Sequence, residues 1–243
     1  MDEPRARVQR EVVSFVRRSA RMNESQLKAW THLQHWVVSV PTRQLSTSIA
    51  PEARVDWPAV FGREAPLVVE LGGGTGDVIA AVAARHPDRD FIAFEVFEPA
   101  VASTLSKCAR AGVTNVRVVV ANGVDGLTTL IDEAALSELW TFFPDPWHKA
   151  RHHKRRLVSP DFAAVAAHTL APDGLWRLAT DWEDYALAIR AVLDANPRLQ
   201  NCHDGWAPRW QDRPQSRYEA KGLAAGRTIY DLCYRRTRER RDP

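Results

Sequence analysis

The chain has 243 residues, of which 45% are hydrophobic and 26% are charged, and its formal net charge is +3. This composition predicts one globular unit of enzyme size and excludes a mainly disordered chain. The most apolar stretches are broken within about ten residues, so we expect neither a signal peptide nor a membrane span. The 3 cysteines are widely spaced, which indicates neither a disulfide framework nor a zinc site and favours a reducing, cytoplasmic setting.

Positive charge is concentrated at the two ends of the chain and in residues 149–156. The arginines at the ends are Arg5, Arg7, Arg10, Arg17, Arg18 and Arg21, and then Arg235, Arg236, Arg238, Arg240 and Arg241. Such clusters suit a phosphate backbone or an anionic lipid surface. Neither end carries the apolar run that a membrane anchor needs, so the pattern favours nucleic acid over a membrane as the partner.

The chain is predicted to divide into a basic N-terminal arm and helix, residues 1–50, and one domain, residues 51–243. The arm is expected to be partly disordered and to contain one helix, from Glu24 to Trp36. From residue 67, short β-branched runs alternate with longer helical patterns. This alternation predicts an α/β fold with a doubly wound, mostly parallel sheet and helices on both faces.

The predicted strands are 67–71, 91–95, 116–120, 136–143 and 175–179, and the predicted helices between them are 78–85, 99–111 and 160–170. Ser159 is the expected N-cap of the third helix, with Pro160 at its first position. Residues 172–174 are expected to form a turn before the fifth strand. Thr180 or Asp181 is expected to cap a last helix that runs to about residue 195.

A glycine-rich loop with Gly72, Gly74 and Gly76 follows the first strand, and such a loop lets the backbone approach a ligand closely. Glu95 ends the second strand, where a carboxylate can accept both ribose hydroxyls of an adenosine. A dinucleotide cofactor would also fit the glycine loop and Glu95. Glu70 favours S-adenosylmethionine, because a carboxylate can meet its positive amino-acid end but would repel a pyrophosphate. Alternatively, Glu70 is a buried acid bonded to backbone amides.

Residues 142–156 place an acid directly before a run of cations and imidazoles. Pro144 and Pro146 restrict the backbone on either side of Asp145, so its carboxylate is expected on a stiff turn. The cations that follow can meet successive phosphates. The run therefore predicts a reaction centre beside a polyanion contact, with a solvated basic turn as the alternative. No metal site is expected, because no nearby side chains complete a ligand shell around these histidines.

Together with residues 179–183, 213–219 and 230–232, this run closely resembles the bacterial single-subunit tRNA (guanine-N7)-methyltransferases. The order and spacing of the motifs match over residues 12–236. The resemblance implies a Rossmann-like class I methyltransferase fold with a seven-stranded sheet. It also implies methyl transfer from S-adenosylmethionine to N7 of guanine 46 in the variable loop of tRNA, with no obligatory protein partner.

The resemblance assigns a role to each position that matches a family motif. Asp145 is the implied catalytic or base-holding acid, and the cofactor contacts are Glu70, Gly72, Gly74, Gly76, Glu95, Asn122 and Asp145. The implied substrate contacts are Lys149, Asp181, Ser216, Arg217, Tyr218 and Glu219. The implied RNA contacts are Arg151, His152, His153, Lys154, Arg155 and Arg156. Trp147 or Tyr218 is the expected stacking platform for the target base.

The chain departs from the family pattern in three places. Asn122 stands where the family usually has Asp, residues 72–74 are all glycine where the family has a Gly-Phe-Gly type of loop, and residues 216–219 replace Thr-Lys-Phe-Glu. Asn122 can hold the adenine amino group or be a plain turn residue. Two alternatives stay open, a small-molecule methyltransferase and a non-catalytic RNA-binding module.

Overall fold

The structure, a computed structural model, describes residues 21–43 and 47–238, and in these residues seven strands form one sheet in the order β3-β2-β1-β4-β5-β7-β6. The strands are β1 (Leu67–Leu71), β2 (Asp90–Glu95), β3 (Val116–Val120), β4 (Leu136–Phe142), β5 (Leu170–Thr180), β6 (Leu199–Asn201) and β7 (Tyr230–Arg236). The first five pair in parallel, whereas β7 is antiparallel to β5 and β6. This confirms the predicted mostly parallel sheet of seven strands.

Eight α-helices lie within the described part of the chain, two before β1 and six between the strands. They are α1 (Glu24–His32), α2 (Trp57–Phe61), α3 (Asp77–Arg85), α4 (Glu98–Ala111), α5 (Gly123–Leu130), α6 (Pro160–Thr169), α7 (Glu183–Asp194) and α8 (Arg217–Ala224). Two 3₁₀ helices, Gln34–Trp36 and Ala150–Arg155, lie among them. No helix among the described residues is long and apolar enough to cross a membrane.

Helices cover both faces of the sheet, so its central strands are apolar on both sides. All five residues of β1 are buried. Val68 belongs to the hydrophobic core on one face, with Ile79 and Trp140, whereas Val69 belongs to the core on the other face, with Trp176. A strand buried on both faces shows a continuous apolar run rather than alternation, and this is why residues 67–71 were predictable as a strand.

Most predicted elements agree with the structure within a residue or two, and strands 67–71 and 116–120 are confirmed at both ends. Ser159 is confirmed as the N-cap of α6, where its side chain accepts a hydrogen bond from Phe162 N. The sequence reasoning missed three helices, α2, α5 and α8, and set no bounds for β6 and β7; α5 begins directly after Asn122. The predicted helix from Glu24 to Trp36 is interrupted at Leu33 and continues as a 3₁₀ helix.

Two boundary predictions around β5 were wrong. The expected turn at residues 172–174 lies inside the strand, because β5 already pairs with β4 at Leu170 and shifts register before Leu175. Asp173 has a φ of 66° in this irregular stretch. The N-cap of α7 is Trp182, which makes no side-chain capping bond, and Thr180 Oγ1 instead accepts a hydrogen bond from Trp182 N at 3.3 Å.

The described part of residues 21–50 packs on the sheet domain. Gln26 in α1 donates through Nε2 to Pro99 O at 3.0 Å and to Ser103 Oγ at 3.1 Å, both in α4. Val38 N donates to Val118 O at 2.8 Å, at the edge of the sheet formed by β3. The predicted disorder of the arginine-rich arm concerns residues that lie, apart from Arg21, outside the described residues.

Candidate active site

A pocket opens where β1, β2, β3 and β4 end side by side, the position at which open α/β sheets bind their ligands. Its lining includes Gly72, Gly74, Glu95, Asn122, Asp145 and Tyr218. Predicted cofactor and substrate residues that are far apart in the sequence therefore meet at one place. Two predicted cofactor residues do not line it: Glu70 is buried, and Gly76 closes the loop by donating through its N to Gly73 O at 3.0 Å.

The glycine loop is built from left-handed backbone conformations. Gly72, Gly74 and Gly76 have φ values of 67°, 55° and 75°, which residues with a Cβ adopt only with strain. At Gly76 a Cβ would also lie 2.5 Å from Thr104 Oγ1 in α4. At Gly73 it would lie 2.7 Å from Glu70 Oε2, so a side chain there would displace that carboxylate. The absence of a side chain at Gly73 therefore leaves room for the Glu70 carboxylate.

Glu95 is held by backbone amides on both sides of the pocket wall. Its Oε2 accepts from Gly74 N at 3.1 Å, and its Oε1 accepts from Val96 N at 2.8 Å and Phe97 N at 3.0 Å. The carboxylate thus ties the glycine loop to the segment that begins α4. A carboxylate fixed in this way is pre-oriented for further hydroxyl donors.

Glu70 is buried, and no hydrogen-bond donor among the described residues reaches its Oε2 atom. Burial, followed by the charges of Glu95 and Asp77, raises the pKa of Glu70 to about 8. A buried acceptor without a donor is costly unless a cation or a proton satisfies it. The glycine loop and this acid therefore fit a ligand that brings a positively charged group.

Asp145 is exposed at the pocket on a turn that is strained at two non-glycine residues. Phe143 and Trp147 have φ values of 53° and 48°, a region that costs about 1–3 kcal/mol for residues with a side chain and is often found at functional sites. The turn is held by Phe143 N, which donates to Ala179 O at 2.7 Å, and by Arg156 Nε, which donates to Pro146 O at 3.0 Å. The strain adds to the stiffness that the two prolines predicted.

The basic run forms a 3₁₀ helix beside Asp145. Lys149, Arg151 and Lys154 are exposed, and none of the three makes an ion pair with another described residue. The guanidinium of Arg155 lies 4.9 Å from the centre of the Trp147 ring. Lys149, Arg151 and Lys154 therefore face solvent beside Asp145, and their contact with RNA stays a prediction.

The imidazole of His152 meets the Trp147 ring edge-on at 5.9 Å. Burial, and then the charges of Arg151, Arg155, Lys149 and Lys154, lower the pKa of His152. Its ring is therefore less readily charged than an ordinary imidazole. Across residues 21–43 and 47–238, no group of three or more His, Cys, Asp and Glu side chains is arranged to hold a metal ion.

Comparison with known proteins identifies the family. A family model described as "Putative methyltransferase" matches residues 64–232. The tRNA (guanine-N(7)-)-methyltransferase of Cutibacterium acnes is 56% identical over 96% of this chain and 86% of its own length. That of Nocardioides sp. is 46% identical over 93% of this chain and 88% of its own. The chain belongs to the tRNA (guanine-N(7)-)-methyltransferase family.

Solved structures support the fold of this methyltransferase family. The 16S rRNA methyltransferase KamB aligns with a TM-score of 0.54 and 14% identity over 75% of this chain and 93% of its own. The 16S rRNA (adenine(1408)-N(1))-methyltransferase of Catenulisporales acidiphilia aligns with a TM-score of 0.53 and 14% identity, over 77% of this chain and 92% of its own. Both share the sheet architecture, which confirms the predicted Rossmann-like class I fold.

One of the predicted RNA contacts of the family motif, Arg156, points away from solvent, whereas the neighbouring His153 stays partly exposed. The side chain of Arg156 is 7% exposed; it pairs with Asp184 and stacks on the ring of Tyr185 at 4.8 Å. This pairing, chiefly the hydrogen bond from Arg156, lowers the pKa of Asp184. His153 Nε2 lies 3.9 Å from the same carboxylate. In this geometry Arg156 holds the Asp145 turn and has little surface to offer a phosphate.

The family motif at residues 213–219 divides into inward and outward side chains. Ser216 caps α8 by accepting from Glu219 N at 3.2 Å, and it is 8% exposed. Glu219 is 1% exposed. Tyr218 is 49% exposed, and its ring lies 3.3 Å from the position of a Cβ on Gly74. Tyr218 and the exposed Arg217 can reach a ligand, whereas Ser216 and Glu219 are engaged within the protein.

The structure also shows contacts that the sequence reasoning missed. Arg227 Nε lies 2.8 Å from Asp181 Oδ2, so the predicted substrate contact at Asp181 is already paired. Asn122 caps α5 by accepting from Val124 N at 2.9 Å, and its own backbone N donates to Thr47 O at 2.7 Å. An Asn directly before a helix is a recognisable N-cap. The contacts of Asp181 with Arg227 and of Asn122 with Thr47 could not be predicted, because these partners lie far away in the sequence.

Proposed function

We propose that this chain transfers the methyl group of S-adenosylmethionine to N7 of guanine 46 in the variable loop of tRNA. The observation that carries the proposal is that Asp145 lines the same pocket as the glycine loop, Glu95 and Asn122. A methyl donor bound by the loop would therefore lie beside the acid of the family motif. Family membership supports the reaction class, and the pocket supports the roles of the individual residues.

The residues of the pocket fit the cofactor. Glu70 would receive its ammonium group, which explains an otherwise unsatisfied buried carboxylate oxygen. Glu95 would accept its ribose hydroxyls, and Asn122 would bind the adenine amino group from the end of β3. The glycine loop allows close approach of the backbone. The bound cofactor supplies a methyl group on a positively charged sulfur.

Asp145 is proposed as a clamp on the target base rather than a general base. N7 of guanine has a free lone pair and no proton to lose, so attack on the methyl needs no proton acceptor. The Asp145 carboxylate can accept hydrogen bonds from guanine N1 and N2 and favour the positive charge that develops on the ring. Adenine lacks this pair of donors. Correct placement of the base then supplies much of the rate enhancement.

Tyr218 is the better placed of the two predicted stacking residues. Its ring is 49% exposed at the pocket, whereas the Trp147 ring is covered by His152 and Arg155. Extruding a base from the tRNA interior costs a few kcal/mol, and stacking on one aromatic ring recovers about 1–3 kcal/mol. We therefore assign the target guanine to the ring of Tyr218.

The tRNA backbone is proposed to lie along Lys149, Arg151 and Lys154, which are exposed beside Asp145. Arg155 would join them from its position on Trp147. The arginine-rich residues 1–20 would contact a second part of the tRNA. All proposed contacts come from one chain, so no protein partner is required, and a tRNA substrate implies a cytoplasmic location.

The test is transfer of labelled methyl from S-adenosylmethionine to unmodified tRNA, compared with the same tRNA carrying adenine at position 46. Label on the first tRNA alone is the expected result. Label on both would support methyl transfer to tRNA but reject guanine 46 as the target. Label on neither would favour the RNA-binding module, and turnover on a metabolite without tRNA would favour the small-molecule enzyme.

A further inference from the structure

Arg213 lies at the centre of a buried ion network for which the proposed function has no role. Its side chain is 0% exposed. Its Nη2 donates to Asp231 Oδ2 at 3.1 Å and to Glu219 Oε1 at 3.3 Å, and its Nη1 lies 3.0 Å from Asp231 Oδ1. Arg209 binds both oxygens of Glu219, at 2.6 and 3.0 Å. Two cations and two acids thus balance each other, with Arg213 and both acids buried and Arg209 partly exposed at the edge.

The same guanidinium also lies on the aromatic residues that precede Asp145. Its centre is 5.2 Å from the ring of Phe142 and 5.5 Å from the ring of Phe143. Phe143 is the first strained residue of the Asp145 turn. One side of Arg213 therefore supports this turn, and its two carboxylate partners belong to α8 and β7.

Glu219 connects Arg213 to the residue proposed to stack on the base. Glu219 is in the first turn of α8, directly after Tyr218, and its backbone N is bound by the Ser216 cap. Its position fixes how α8 presents the Tyr218 ring to the pocket. At Gly222, one turn later, a Cβ would lie 2.8 Å from Asp181 Oδ2, so the helix has little freedom to shift.

We propose that Arg213 is a positioning residue for methyl transfer, which holds the turn at residues 142–147 and the first turn of α8 together so that Asp145 and Tyr218 face one pocket. This inference rests on the proposed function. It also assigns Ser216 and Glu219 to the support of α8 rather than to contact with substrate. An arginine suits the position, because its planar fork serves two carboxylates while its face lies on aromatic rings.

The first measurement compares Arg213→Lys with Arg236→Lys. Lysine keeps the charge but loses the planar fork. Arg236 is a matched control, because it is 4% exposed and bonded to Leu170 O at the far end of β5. We expect Arg213→Lys to lower kcat for tRNA methylation by about 10²-fold, as for a misplacement of about 1 Å, with little change in KM. Equal kcat values for the two folded variants would overturn the proposal.

The second measurement repeats Arg213→Lys in a Tyr218→Ala background. If Arg213 places Tyr218 as well as Asp145, Arg213→Lys should lower kcat by a clearly smaller factor when the Tyr218 ring is already absent. Fully additive losses would contradict the link to α8. If Arg213→Lys fails to fold, Glu219→Gln, which keeps the shape of the side chain, replaces it in every measurement.

The third measurement needs no activity, so it separates this proposal from the proposed function. Backbone hydrogen exchange should become faster in Arg213→Lys at residues 143–147 and at residues 217–220 together, but at neither segment in Arg236→Lys. Unchanged exchange in either segment of the Arg213 variant would refute the positioning role, even if the wild-type chain transferred no methyl to tRNA. Absence of wild-type transfer alone would refute only the proposed function.

Discussion

The two walls of the pocket differ in what holds their functional groups. The cofactor wall, formed by Gly72, Gly74, Glu95 and Asn122, is built from strand ends and backbone amides. The acceptor wall, formed by residues 142–156 and 213–219, is held by ion pairs and ring contacts between distant parts of the chain. Contacts between distant residues hold both walls, but those of the cofactor wall involve backbone amides and carbonyls, whereas those of the acceptor wall join side chains. We therefore expect a single side-chain substitution to disturb the acceptor wall more.

The largest effect is expected at the acceptor wall from Asp145→Ala. Loss of the carboxylate removes the acceptor for guanine N1 and N2, so kcat should fall by about 10²–10³-fold, the cost of removing a group that stabilises developing charge. tRNA affinity should change little, because the backbone contacts remain. The measurement is single-turnover methyl transfer together with a tRNA binding titration. Near-normal turnover of Asp145→Ala would contradict a role of Asp145 in the active site.

A second effect tests the cofactor wall through Glu70→Gln. Because the pKa of Glu70 is raised to about 8, the carboxyl is mostly protonated at pH 7 in the free protein. Pairing with an ammonium would ionise it, so cofactor binding at pH 7 should release close to one proton, and Glu70→Gln should release none. Titration calorimetry in two buffers of different ionisation enthalpy measures this. Binding by the wild-type chain without proton release would contradict the assignment.

The same shift sets a pH dependence of folding. The pKa of Glu70 is higher in the folded chain than its ordinary value of 4.5, so the folded state binds the extra proton between pH 4.5 and about 8. Stability from this group is therefore complete below pH 4.5 and is lost as pH rises through about 8. Denaturant titrations should show that the wild-type chain loses more stability than Glu70→Gln over this range. Parallel curves would contradict the shift.

The comparison also explains which features could be predicted from the sequence. Glu95 and the glycines were predictable because strand, loop and helix follow each other within a few residues. Asp145 was predictable from its prolines and from the family motif. The inward orientation of Arg156 and Glu219 was not, because their partners Asp184 and Arg213 are set by tertiary packing. The α5 helix was missed because Gly123 and Gly126 lower its helix propensity.

A smaller effect distinguishes two neighbouring cations of the acceptor wall. Lys154→Ala removes an exposed charge that pairs with no other residue of the described part of the chain, so the slope of log affinity for tRNA against log salt should fall by about one phosphate contact. Arg156→Ala is the matched control, because it breaks the pair with Asp184 and should lower stability while leaving the slope largely unchanged. The reverse pattern in tRNA titrations and thermal melts would show that Arg156 meets the RNA.

The smallest effect is expected at the cofactor wall from Asn122→Asp. The new carboxylate can still cap α5 by accepting from Val124 N, and it adds a negative charge at a helix N-terminus, worth about 0.3–1 kcal/mol. It should also bind the adenine amino group more strongly, so both the melting temperature and cofactor affinity should rise modestly. Asn122→Ala, which removes the cap, should lower stability by about 0.5–2 kcal/mol. Weaker cofactor binding by the Asp variant would place the adenine away from residue 122, because only a group close to the adenine amino donor gains from the added charge.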